Sequence, residues 1–119
     1  MGRLFLIDLE ENFYSCKNCE TPVALANHLL SRDYQCPYGR AYLFDKVVNV
    51  LDGEIEEPIP ESNSTMIHLF CVQCQSIVGF KFVLAYDEFR RYREGKFILA
   101  RLKILVPGEY SNMPALEDV

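Results

Sequence analysis

Cys71-Val72-Gln73-Cys74-Gln75-Ser76-Ile77-Val78-Gly79-Phe80-Lys81-Phe82-Val83-Leu84-Ala85 carries both signals that decide the fold. Its first four residues form a Cys-x-x-Cys pair. Its last nine alternate, so that Val78, Phe80, Phe82 and Leu84 fall on one apolar face of a strand. Ile77, Gly79, Lys81 and Val83 take the other, more polar face. A second pair, Cys16-Lys17-Asn18-Cys19, lies 51 residues upstream. A two-residue gap turns both sulfurs onto one ion, and two such knuckles give the tetrahedral four-thiolate shell that structural zinc prefers. Iron in the rubredoxin manner fits the same geometry, and zinc is the expected ion. A thioredoxin-like reading of either pair lacks its βαβ context. The metal ligands are therefore expected to be Cys16, Cys19, Cys71 and Cys74, holding one structural zinc. A closed shell leaves the metal no open position for catalysis.

Around this core, short runs rich in Val, Ile, Phe and Tyr recur at Leu4–Leu9, Ala41–Val50, Met66–Cys71, Ile77–Ala85 and Phe97–Val106. They predict strands, being too short for buried helices. Pro22–Ser31 and Asp87–Gly95 are expected to hold short helices, the second stopped by Gly95. Asp52–Asn63, with five acids and Gly53, Pro58 and Pro60, reads as an exposed acidic loop between strands. The fold class is mainly β, antiparallel, with one or two short helices.

The 119 residues suit a single domain, and 50% hydrophobic with 24% charged residues excludes disordered and low-complexity classes. No apolar run approaches a bilayer span, so no membrane partner is expected. Twelve bases against seventeen acids give a net charge of −5, which disfavours a sequence-blind grip on nucleic acid. From Val47 to Phe80 there is no Lys or Arg, whereas Lys81–Lys103 is basic. The N-terminus shows no secretory or myristoylation signal, and Asn63-Ser64-Thr65 is taken as a chance sequon. The thiols are thus expected in a reducing compartment, nucleus or cytoplasm. Cys36, before Pro37, and the histidines His28 and His68 read as structural or surface residues, since four cysteines already complete a shell.

Several further motifs resemble the Yippee family of small eukaryotic zinc-binding proteins. These are Tyr14-Ser15-Cys16, Gly39-Arg40-Ala41-Tyr42-Leu43-Phe44, Val47-Val48-Asn49-Val50, the second knuckle, Gly79-Phe80-Lys81-Phe82 and Tyr92-Arg93-Glu94-Gly95-Lys96-Phe97-Ile98. The match runs from about residue 13 to 103. The stretch after the first knuckle and the extension ending Leu102-Lys103-Ile104 look like plant members. The resemblance implies one domain over residues 1–119, with 107–119 as a flexible tail. It also implies a zinc-stapled β-tent, shared with cereblon's thalidomide-binding domain, Mis18 proteins and zinc-containing methionine sulfoxide reductases.

In the cereblon relatives a tryptophan cage beside the second knuckle binds a cyclic imide. This chain has no Trp. Phe80 and Phe82 stand at the cage positions, Met66 replaces a cage aromatic, and His68 stands where many Yippee members carry Asp. A pocket of Phe80 and Phe82 would bind a small ligand weakly or not at all. The knuckle gap is one residue shorter than the common family spacing.

The resemblance implies a non-catalytic interaction or adaptor module with protein partners, some relatives being associated with ubiquitin-ligase assemblies. The alternatives are a small-molecule or peptide pocket beside the second knuckle, and a methionine sulfoxide reductase. A reductase would need Cys36 as nucleophile, and this chain offers no cysteine after Cys74.

Overall fold

The computed structural model describes residues 12–59 and 63–108. Nine strands form two antiparallel sheets among these residues. The strands are β1 (Phe13–Cys16), β2 (Pro22–Leu25), β3 (Leu29–Cys36), β4 (Gly39–Phe44), β5 (Val50–Ile59), β6 (Ser64–Cys71), β7 (Ile77–Ala85), β8 (Phe97–Ala100) and β9 (Ile104–Leu105). The small sheet has the order β9-β1-β2 and the large one β3-β4-β8-β7-β6-β5.

Alternation along the large sheet divides its side chains between two cores. From β4, Tyr42 and Phe44 join Leu69, Val78 and Leu99 against Tyr14, Val23 and Ile104 of the small sheet. Ala41 and Leu43 instead join Met66, Phe80, Phe82 and Ile98, covered by Tyr34, Cys36, Tyr38 and Ile59. Tyr14 meets Tyr42 and Phe44 edge-on, at 5.9 and 5.0 Å between ring centroids, a favoured arrangement for buried aromatics.

Two register shifts make β7 depart from strict alternation. One lies opposite Leu69/Phe70 and sends Val78 to the small-sheet side, away from Phe80. The other lies opposite Thr65/Met66, so Leu84 turns out to 51% exposure and Ala85 turns in. An extra residue in one strand exchanges its faces, which is why Leu84 does not share the apolar face expected of it. Gly79 is required by close approach. A Cβ there would collide with the Ile98 carbonyl oxygen.

Four expected elements take a different form. Val50–Ile59 is an edge strand paired with β6, not a loop. An edge strand uses one side of its backbone for pairing, so it tolerates Pro58 and a Gly53 bulge that a central strand would not. Ala41–Val50 is broken after Phe44, where the chain leaves the sheet until Val50. Pro22–Ser31 is not a helix: Val23 and Ala24 are buried in β2, and only Ala26–His28 makes a 3-10 turn. Phe97–Val106 is interrupted by a 3-10 turn at Arg101–Lys103, which carries the chain from the large sheet to the small one.

The expected helix after β7 is a 3-10 helix, Glu88–Arg93, capped by the Asp87 carboxylate, which accepts from the Arg90 N–H at 3.0 Å. Gly95, at φ +81°, follows it. The expected strand Leu4–Leu9 and most of the expected tail, from residue 109, lie outside the described residues.

Candidate metal centre and its surroundings

The two Cys-x-x-Cys segments fold into the same turn. In the first, the Cys16 N–H donates to the Thr21 carbonyl at 2.8 Å and the Glu20 N–H to the Cys16 carbonyl at 2.7 Å. In the second, Cys71 N–H donates to Ser76 and Gln75 N–H to Cys71, both at 2.8 Å. The residue after each second cysteine, Glu20 and Gln75, is left-handed at φ 65°. A hydroxyl follows at the same place in each: Thr21 Oγ1 lies 3.1 Å from Cys19 Sγ, and Ser76 Oγ 3.3 Å from Cys74 Sγ.

The knuckles meet face to face, and their four sulfurs lie within 4.8 Å of one another. Cys16 and Cys74 sulfurs are 3.6 Å apart, and those of Cys19 and Cys71 are 3.5 Å apart. A disulfide needs about 2.05 Å, whereas four thiolates around one ion at about 2.3 Å stand roughly 3.8 Å apart. The cluster therefore fits a tetrahedral metal shell, in which Cys16, Cys19, Cys71 and Cys74 would be the four ligands. Burial pushes the Cys16 thiol up to about 12, whereas the Ser76 hydroxyl, with help from the Asn18 side chain, holds Cys74 down to about 5. The Thr21 hydroxyl lowers Cys19. A divalent cation held by the four sulfurs would favour their thiolate forms. Lys17 is exposed, and its backbone N–H donates to the Lys103 carbonyl at 3.0 Å.

Asn49 joins the knuckles without touching the sulfurs. Its side-chain amide donates to the Pro22 carbonyl at 2.9 Å, beside the first knuckle. Its own carbonyl accepts from the Val72 N–H at 3.0 Å, inside the second. This requires φ 58°, a left-handed conformation that Asn adopts more readily than most residues. The metal motif itself carries no sign of Asn49, because the residue lies between the pairs in sequence.

With this geometry in place, comparison with known proteins is decisive. Residues 12–113 match the family model described as Yippee zinc-binding/DNA-binding/Mis18, centromere assembly. The chain belongs to the Yippee-Mis18 family. A yippee-like protein of Arabidopsis thaliana is 52% identical to this family member over 108 residues, 90% of this chain and 84% of the relative. One from Solanum tuberosum is 47% identical over the same shares. The crystal structure of a Mis18 Yippee-like domain superposes with a TM-score of 0.67 over 79% of this chain and 92% of that domain, at 14% identity, which speaks for the fold.

The structure puts Phe80 and Phe82 of this Yippee-Mis18 chain in the core, each 2% exposed, rather than on an open wall. Phe80 stacks on Tyr38 and packs against His68, at 5.8 and 4.9 Å between centroids. Over Phe82 lies the Arg93 guanidinium at 4.7 Å, itself buried and donating to Ser64 Oγ at 3.1 Å. Beyond these side chains is a recess of about 540 Å³ lined by Tyr34, Cys36, Pro37, Ile59 and Arg93. Cys36 is half-buried there, and burial raises its thiol above the ordinary range. His68 also packs against Phe70. Among the described residues, no helix is long and apolar enough to cross a membrane.

Proposed function

We propose that the chain is a non-catalytic, zinc-stapled interaction module that presents its sheet surfaces to protein partners in the nucleus or cytoplasm, as a regulatory or adaptor component. The observation that carries this reading is the convergence of four sulfurs from two distant knuckles within 4.8 Å. One zinc ion held by Cys16, Cys19, Cys71 and Cys74 would supply a structural cross-link and nothing else, because a fourth thiolate fills the position a substrate or water would need. The raised Cys36 thiol supports the same reading, being a poor nucleophile near neutrality. Net charge of −5 supports protein partners over nucleic acid.

Elemental analysis of protein expressed without added metal tests the proposal. One zinc per chain, absent from an unfolded Cys71→Ser variant, is the expected result. Iron in its place, or metal-free protein that stays folded, overturns it.

A second reading, a small-ligand or peptide pocket, is favoured by the recess beside Tyr34 and Arg93, whose volume is of ligand-binding size. Phe82 would then act as the floor behind Arg93 and not as a contact. Ligands that raise the melting temperature of wild type but not of Tyr34→Ala support it. Flat melting curves across imides and modified peptides count against it.

A further inference from the structure

The acidic stretch after Val50 is not used by the metal site, and it is shaped for a purpose the metal does not explain. In β5, Asp52 stands opposite Leu69 and Glu56 opposite Ile67. Three residues, Gly53, Glu54 and Ile55, therefore face the single residue His68, and the strand bulges outward. Gly53 lets the bulge settle on the sheet, since a Cβ there would lie 3.1 Å from a Phe70 ring carbon and 3.2 Å from the His68 carbonyl oxygen. Under the bulge is a recess of about 470 Å³ whose apolar walls are Leu51, Ile55 and Phe70, with Asp52 and Glu54 on its rim. Ile55 is 69% exposed and Leu51 49%, so two aliphatic side chains stand in water at the edge of a sheet. Glu54, Glu56 and Glu57 are exposed around them and join no ion pair among the described residues. Lys81 lies beside Asp52, at 3.5 Å.

We propose that the outer edge of the large sheet, from Leu51 to Glu57, docks a basic, extended peptide segment that seats one apolar side chain in the recess between Leu51, Ile55 and Phe70. The inference rests on reading the chain as an interaction module and adds the surface and the partner's chemistry. Charge complementarity selects the occupant. The Lys81 charge is matched by Asp52, and Glu54, Glu56 and Glu57 leave the edge net negative, so a phosphate backbone or an anionic lipid surface is repelled here and a cationic partner is drawn in.

A second copy of the same edge would bring carboxylates against carboxylates. Strand-to-strand addition is also blocked, because the bulge and Pro58, which has no N–H, interrupt the row of backbone groups that a new strand would pair with. Recognition must therefore run through side chains. Glu54 and Glu56 flank the exposed Ile55, so a partner with Lys or Arg on either side of an apolar residue would meet a carboxylate at each.

The test uses the full, metal-loaded chain and a fluorescent peptide with Lys and Arg at alternate positions around a central Leu, read by anisotropy. Binding is expected, and it should weaken about tenfold between roughly 0.05 and 0.5 M salt as the charges are screened. The triple variant Glu54→Gln, Glu56→Gln, Glu57→Gln should lose about tenfold in affinity, in line with three modest exposed charge pairs. Ile55→Ser, at an exposed site, should weaken binding at both salt concentrations, whereas Glu88→Gln on the 3-10 helix should change nothing.

The proposal is overturned if the basic peptide does not bind, if the triple variant binds it equally, or if a peptide with Glu at the basic positions binds as well. It is also overturned if sedimentation shows wild-type dimers that Ile55→Ser abolishes, which would give the edge to a second copy. Unchanged metal content and melting temperature in every variant separate failure of this surface from failure of the module reading.

Discussion

On one face of the large sheet, Tyr42, Phe44, Leu69 and Leu99 are covered by a second sheet whose three strands have only four, four and two residues. On the other face, Ala41, Leu43, Phe80, Phe82 and Ile98 are covered by Tyr34, Cys36, Tyr38 and Ile59, from the strands and hairpin at the sheet's own margins. The first cover is too small to hold itself in place, and the four-cysteine cluster, with Cys16 on its own strand and Cys71 on the large sheet, joins it to that sheet. The second is tied to the sheet by β3–β4 and β5–β6 pairing and needs no cross-link. Two ways of closing a core thus sit back to back on one sheet, and they should fail separately.

The strongest way to break the contrast is Cys71→Ser. Metal binding in small zinc domains contributes on the order of 10 kcal/mol to folding, so this variant should lose the metal and its near-UV circular dichroism together. On the opposite face, Phe82→Ala should cost about 3–5 kcal/mol in urea denaturation while metal content stays at the wild-type value. If metal is lost with Phe82, the two faces are one unit. Asn49→Ala removes an amide donor that ties the knuckles, and it should cost about 1–3 kcal/mol and speed metal loss to a chelator.

Smaller effects sharpen the comparison. Glu20 and Gln75 share one left-handed geometry, so Glu20→Gly and Gln75→Gly should each raise thermal stability by about 0.5–1 kcal/mol, and by equal amounts. The faces should also differ in pH response. Acid protonates thiolates, so the metal side weakens as pH falls. Burial raises Tyr34, to about 12, and Cys36 in the folded state, which favours their neutral forms. Their contribution is full below the ordinary values of 10.0 and 9.0 and is lost as pH climbs through the raised ones. Melting temperature above pH 9 should therefore fall less in a Tyr34→Phe, Cys36→Ala variant than in wild type.

Much of this was legible in the chain. The cysteine spacing picked out the four sulfurs that the fold brings within 4.8 Å of one another, because a two-residue gap turns both sulfurs of a pair the same way. The apolar runs Ala41–Val50 and Ile77–Ala85 predicted strands, and they hold most of β4 and all of β7, because Val, Ile, Phe and Tyr suit a pleated, half-buried surface. The helix expected over Pro22–Ser31 failed because pairing with β1 buries Val23 and Ala24 more effectively than a lone helix would. The strand Val50–Ile59 was hidden by its proline and glycine, which forbid a central strand but suit an edge. Asn49 stood inside the quoted motif Val47-Val48-Asn49-Val50, but its role was beyond reach, since it lies in two contacts made with residues 27 and 23 positions away.

The pairing of distant knuckles has a consequence for synthesis. Cys16 and Cys19 leave the ribosome first and wait through 51 residues before Cys71 and Cys74 follow. At about 5–20 residues per second, this is an interval of several seconds with two thiols and no partners. When the second knuckle arrives it comes as a hairpin turn between β6 and β7, formed by neighbours in sequence. The loop from Cys19 to Cys71 then closes, its entropy cost rising only slowly with length. The small sheet is thus made of the first and last segments described, Phe13–Leu25 and Ile104–Leu105, so the strand β9 that flanks the first knuckle is made only after both cysteine pairs are out.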